Sequence, residues 1–181
     1  MPNSSKKLSF RIFADDTNIF FSSKNPNEVE SVMNNELKQV LKYCAINKLS
    51  VNMKKTNYMI ITSPQKPHTN INILNIKQKK FIKYLGIYLD EHLNWKKQID
   101  HVSSKIAKNI GILYKLRHYL NLHMLKQLYY TLIYPYINYG AASWGNTYPT
   151  NLKKICSKQN QCIRSIFFAA NRESANIFYE L

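Results

Sequence analysis

The sequence predicts an α+β fold, with short strands and one helix in the first half and an all-helical second half. Three observations carry that expectation. Up to residue 90 most apolar residues fall into brief β-branched and aromatic runs separated by turn formers, whereas beyond it they recur at three- and four-residue steps. No flexible linker divides the two patterns, so residues 1–90 and 91–181 read as continuous parts of one larger assembly. The 181 residues are 45% hydrophobic and 13% aromatic, which is enough for one domain, or parts of two, with a real core.

Taken in order, residues 9–13 and 18–22 form two apolar runs joined by "ADDT", the pattern of a β-hairpin with an acidic tip. "SKNPNE" then breaks the chain and starts a helix. Val29, Met33, Leu37, Val40, Leu41 and Cys44 mark the apolar face of that helix. Residues 58–62 alternate as a strand, "PQKPHTN" is a loop, and residues 71–90 hold two or three short strands with Gly86 interrupting the last. Trp95, Ile99, Val102, Ile106, Ile110, Leu113 and Leu120 predict a long helix over about 94–120. Leu122, Leu125, Leu128, Leu132 and Ile133 predict a second, bent or ended near Pro135, and a third spans about 150–168. Both tryptophans, Trp95 and Trp144, are expected in the core.

The bulk composition narrows the function. No apolar run approaches the roughly 18 residues of a membrane span, and no secretory leader precedes residue 10, so an intracellular protein without membrane partners is expected. Cys44, Cys156 and Cys162 match neither a zinc pair nor a redox motif and are expected as reduced, packed thiols. Lys and Arg number 26 against 10 Asp and Glu, a net charge of +16 that attracts polyanions. Most of these cations are lysines, which suits sequence-independent contact with a phosphate backbone, although a solvated lysine-rich surface has the same composition.

Against that background Asp15 and Asp16 stand out. Adjacent carboxylates repel, yet oxygen ligands are what magnesium prefers, and two ions about 3.5–4 Å apart clamp both oxygens of a phosphoryl transfer. The alternative is a pair of inert turn residues. "FADDT" between hydrophobic strands resembles the catalytic box of reverse transcriptases. "LSVNMKKTNYMIIT" (49–62), "KYLGIYLDEHLNWKKQI" (83–99), "LYYTLIYPYINYGAASWG" (128–145) and "KQNQCIRSIF" (158–167) are similar, in order and spacing, to the later blocks of non-LTR retrotransposon polymerases of the jockey-like LINE group.

The resemblance implies the C-terminal part of a polymerase palm over residues 1–90, built of short antiparallel strands plus a helix, and a helical thumb over 91–181. It makes Asp15 the ligand of catalytic magnesium (or manganese), Asp16 an electrostatic support, and Lys55 a candidate general acid, with Lys54 competing for that role. Phe13 takes the place of the family's frequent Tyr, and Ala14 keeps bulk away from the primer end. Tyr84, Leu85 and Gly86 would form the primer grip. Lys96, Lys97, Lys105, Lys108, Lys115 and Arg117 would track the phosphates of an RNA template paired with a DNA primer, with nucleotides as substrates of the intact enzyme. A third metal-binding Asp and the nucleotide-binding fingers, expected upstream of residue 9 in the family, have no counterpart here, so little activity of its own is expected. The other reading is a non-catalytic binder of RNA or RNA–DNA duplex.

Overall fold

Six short strands and six helices make up the described residues, 7–66 and 70–169, of the computed structural model. The chain gathers into two compact units, Met1–Lys80 and Phe81–Leu181. Among the described residues no sheet exceeds two strands and none closes.

In the first unit, β1 (Ser9–Phe13) and β2 (Asp16–Phe20) pair antiparallel, as expected, but β2 begins at Asp16 and not at residue 18, because the turn closes over Ala14 and Asp15 alone and sets Phe13 opposite Asp16. Helix α1 (Pro26–Ile46) starts where Asn25 accepts a hydrogen bond from Asn27 N at 3.1 Å and Pro26 presets the first turn. Of its expected apolar face, Val40 and Cys44 are buried and the remainder half-buried. The alternation at residues 58–62 produces a strand only at Asn57–Tyr58 (β3). Its partner is Lys77–Gln78 (β4), and the two run parallel, where antiparallel strands were expected. Parallel strands need a long crossover, and the segment between them supplies one. The Asn34 side chain on α1 holds this crossover from both sides, donating to Asn72 O and accepting from Leu74 N, each at 2.8 Å. Leu74 and Asn75 then turn the chain through left-handed backbone. The loop expected at 64–70 lies partly outside the described residues.

The second unit opens with the hairpin β5 (Phe81–Tyr84) and β6 (Ile87–Asp90), joined by Leu85 and Gly86 at φ 45° and 83°. Two positive φ values in a two-residue loop are the signature of a type I′ turn, which matches strand twist. Gly86 therefore links two strands and does not interrupt one. This hairpin was expected to close the first half, but it packs on α2 (Lys96–Leu116) instead, so the compact units divide at Lys80 and not at residue 90. A buried side chain fixes that contact: Gln98, 2% exposed, accepts a hydrogen bond from Tyr88 N at 3.0 Å.

Asp90 makes the corner between β6 and α2. Its carboxylate accepts three backbone N–H groups, from His92 (3.2 Å), Asn94 (3.0 Å) and Trp95 (2.8 Å). Leu93 and Trp95 sit there at φ 50° and 64°, an uncommon conformation for side-chain-bearing residues, and the charged acceptor offsets its cost. Beyond the corner, α3 (Leu122–Leu132) and α4 (Tyr134–Asn138) break at Ile133 ahead of Pro135, which has no N–H to continue a helix. A short α5 (Ala141–Trp144) lies within the stretch expected as turns, and α6 (Pro149–Ile166) follows.

Ile99, Val102, Ile106, Ile110 and Leu113 of α2 meet Leu125, Ile133, Trp144, Ile155, Cys162 and Ile166 in one buried cluster. Each such aliphatic side chain contributes roughly 1.5–3 kcal/mol on burial. Trp95 packs at its edge, as expected of a core anchor. Cys44 and Cys162 are buried thiols, and burial pushes Cys162 up to about 12, so it stays neutral. Cys156, expected to be packed, is exposed because the apolar stripe of α6 runs through Ile155 and Cys162 on another face.

Two glycines are expected to respond oppositely to alanine. At Gly140 (φ 65°) a Cβ would lie 2.3 Å from Ile87 Cδ1, so Gly140→Ala should cost about 1–3 kcal/mol in denaturant titration. At Gly111, mid-helix with open space around it, Gly111→Ala should stabilise by about 0.5–1 kcal/mol. Asp90→Ala strips an acceptor from three N–H groups and should destabilise the protein by about 2–3 kcal/mol, with Asp90→Asn intermediate.

Candidate nucleic-acid interface

Asp15 occupies the β1–β2 turn itself and Asp16 the first residue of β2, so the two acids are not equivalent. Ala14 before them takes φ 51°, a conformation usually left to glycine, and tightens the reversal that presents Asp15. Strand alternation puts Asp16 on one face with Phe13 and Arg11, while Ile12 and Ile19 lie on the other. Both carboxylates are exposed. The Arg11 guanidinium bonds its neighbour's carbonyl, Phe10 O, at 3.0 Å.

Ile12 and Phe13 are 51% and 61% exposed, so the hairpin has apolar side chains uncovered on both faces. Among the described residues the first unit buries only Leu8, Val40, Cys44, Ile71 and Ile73 as its apolar core. A two-stranded hairpin so thinly supported is marginally stable.

The Asn-x-x-Lys-Thr segment has a local structural explanation. Asn52 accepts from Lys55 N through both its side chain (3.2 Å) and its backbone carbonyl (3.1 Å), and also takes the Thr56 hydroxyl at 2.9 Å. This closes a turn that leaves the Lys55 side chain, like that of Lys54, exposed to solvent ahead of β3.

In the Tyr84-Leu85-Gly86 segment, what lies over Gly86 is Tyr139, whose Cε1 is 3.3 Å from where a Cβ would stand. The Tyr139 hydroxyl also donates to Leu85 O at 2.6 Å, so the turn is braced by the helical part of its own unit.

The lysines of α2 divide by helical phase. Lys97, Lys108 and Lys115 fall within about 20° of one line, directly opposite the buried Ile99–Leu113 seam. Lys96 and Lys105 flank that line on either side. At 1.5 Å rise per residue the three span about 27 Å. Arg117 follows the helix and is held apart from this row, with its guanidinium 3.9 Å from the Tyr114 ring centroid and 5.0 Å from that of Phe168. Among the described residues, Lys154–Asp100 at 2.7 Å is an ion pair that consumes a lysine, and that lysine lies on α6.

Magnesium takes one or two carboxylates and completes its shell with water and phosphate oxygens, so Asp15 and Asp16 suit part of such a shell. Among the described residues no group of three His, Cys, Asp or Glu side chains is placed to hold a metal. No described helix is long and apolar enough to cross a membrane.

No family model matches the chain, and no solved structure matches it. Among curated proteins, the probable RNA-directed DNA polymerase from transposon X-element of Drosophila melanogaster is 23% identical over 159 residues. That alignment covers 85% of this chain and 18% of the length of that protein.

Backbone exchange should separate the two units. Amides of β1 and β2 are expected to exchange at least about 100-fold faster than those of central α2, measured by hydrogen–deuterium exchange in native buffer.

Proposed function

We propose that this chain is a segment of a non-LTR retrotransposon reverse transcriptase, comprising the C-terminal part of the palm and the helical thumb. What carries the reading is the similarity to a transposon RNA-directed DNA polymerase across most of the chain, together with a hairpin that presents Asp15 at its turn. The sequence blocks in family order, and a cationic row on the outer face of α2, support it further.

In this reading Asp15 is the metal ligand and Asp16 an electrostatic support. Lys55 is a proton donor to the leaving pyrophosphate, and Tyr84, Leu85 and Gly86 form the primer grip. Bound magnesium would supply positive charge at the reacting phosphate. The exposed lysines Lys96, Lys97, Lys105, Lys108 and Lys115 neutralise phosphates of the RNA–DNA duplex, each contact releasing counterions. Arg117, with its guanidinium stacked on rings, contributes least.

A second reading, duplex binding without chemistry, is favoured by the lack of a third candidate metal ligand near Asp15 and Asp16 among the described residues. The two readings agree on what this chain does alone: it binds hybrid duplex and does not extend a primer.

Purified protein is expected to bind a labelled RNA–DNA hybrid with affinity that falls steeply with salt. Lys108→Gln with Lys115→Gln should lower the slope of log K against log salt by about 2. Incubation with an RNA template, DNA primer, nucleotides and magnesium should give no extension beyond that of Asp15→Asn. Extension abolished by Asp15→Asn would establish catalysis by this chain and overturn the second reading. Hybrid binding that ignores salt would overturn both.

A further inference from the structure

The β5–β6 hairpin carries cations that join those of α2. Its register sets Lys83 directly opposite Tyr88, with Phe81 on the same face, and Gln98 fastens β6 to the helix. Tyr88 meets His101 of α2 edge-on at 5.0 Å between ring centroids. Lys83 Nζ stands 5.9 Å from the Tyr88 ring, and Lys97 Nζ 5.0 Å from the Phe81 ring. Along α2, Lys97 and Lys105 bracket His101 at four residues on either side, the spacing of helix-surface neighbours.

The acids nearby are engaged elsewhere. Asp100 is paired with Lys154 of α6 at 2.7 Å, Asp90 is filled by three backbone N–H groups, and Glu91 lies 3.9 Å from His92. None of Lys83, Lys97 and Lys105 has a carboxylate partner among the described residues. Three ammonium groups thus stand around the half-buried rings of Tyr88 and His101 and the exposed ring of Phe81, with no ion pair among the described residues to offset their repulsion.

We propose that Lys83, Lys97 and Lys105, set around Tyr88, Phe81 and His101, form a phosphate-binding patch that grips consecutive phosphates of a nucleic-acid strand. The proposal rests on the function inferred above and extends it, because it adds Lys83 of β5 and the rings of Phe81, Tyr88 and His101 to the lysines of α2. The edge-on Tyr88–His101 pair supplies the floor, and Lys83 and Lys97 are held over the Tyr88 and Phe81 faces by the ring quadrupole. Cations preorganised in this way take up a polyanion without paying to assemble the site.

The patch carries a proton linkage. His101 titrates below the usual histidine range, first because of burial and then because of Lys105, Lys83 and Lys97. The groups facing it are those two helix lysines, Lys83 of β5 and Tyr88 of β6. Phosphates seated on the lysines cancel their field and bring the imidazole back up. A group more basic in the complex takes up a proton on binding, so affinity rises as pH falls through the pKa of the complex. It levels off below the pKa of the free protein.

The test uses the full chain and two probes, an RNA–DNA hybrid and inorganic polyphosphate, at constant ionic strength between pH 5 and 8. Joint Lys→Gln at 83, 97 and 105 should lower the hybrid salt slope by about 2–3. Joint Lys→Gln at 24, 38 and 42 on the first unit, the same change in net charge, should leave most of it. His101→Gln should flatten the rise in affinity towards low pH with the helical circular dichroism of the protein unchanged, a split that loss of structure would not produce. Equal losses from the two lysine triplets, or an unchanged pH profile in His101→Gln, would overturn the patch while leaving the proposed function standing. Polyphosphate binding through these lysines without hybrid binding would overturn both the function and the assignment of the patch to a nucleic-acid strand. No binding of either probe would overturn both.

Discussion

The carboxylate of Asp90 is the interaction on which the second unit depends. It gathers three N–H groups of a corner that includes two left-handed, side-chain-bearing residues, and so turns the end of β6 directly into the first turn of α2. Asn94, inside that corner, passes the constraint on: its side chain accepts from Lys96 N at 3.0 Å, and its carbonyl accepts the Thr147 hydroxyl at 2.8 Å. One charged acceptor therefore sets the hairpin, the start of α2 and the approach to α6 at once. Without it the backbone would have no reason to hold φ values that cost of order 1–3 kcal/mol each.

The positioning of charge follows from that corner. Because α2 is held by its buried seam on one side, its opposite side can only carry solvated residues, and there the sequence places lysines. Because β6 is tied to α2 by Gln98, the lysine of β5 cannot drift from those of the helix. A +16 chain is under self-repulsion wherever it folds. Here the few acids near α2 are spent on structure and on Lys154, so the repulsion stays at the surface, available to a polyanion.

The two units differ in how much of themselves they bury. The second has a continuous core of β-branched and leucine side chains crossed by Trp144, whose indole donates to Tyr139 O at 2.9 Å. The first has a long helix, a clamp at Asn34 and a hairpin with apolar residues in solvent. A site that presents acids on such a hairpin is built from weakly supported parts, whereas the cationic surface rests on the stronger unit.

The sequence alone determined the four long helices, the existence of the first hairpin and the residues of the helical core. These are local matters: a 3.6-residue period, a Pro at a helix break and two carboxylates between apolar runs need no knowledge of distant residues. It also determined the cationic character of α2, since a seam of Ile and Leu leaves only one face for Lys97, Lys108 and Lys115. Only the tertiary structure decided that the 81–90 hairpin belongs with the helices, that β3 and β4 run parallel, and that Tyr139 covers Gly86. The same holds for the clustering of Lys83 and His101 around Tyr88. Each depends on which surface an element meets, and periodicity is silent about that: Gln98 and Asn34 look like ordinary solvated amides until a distant backbone group arrives to bond them.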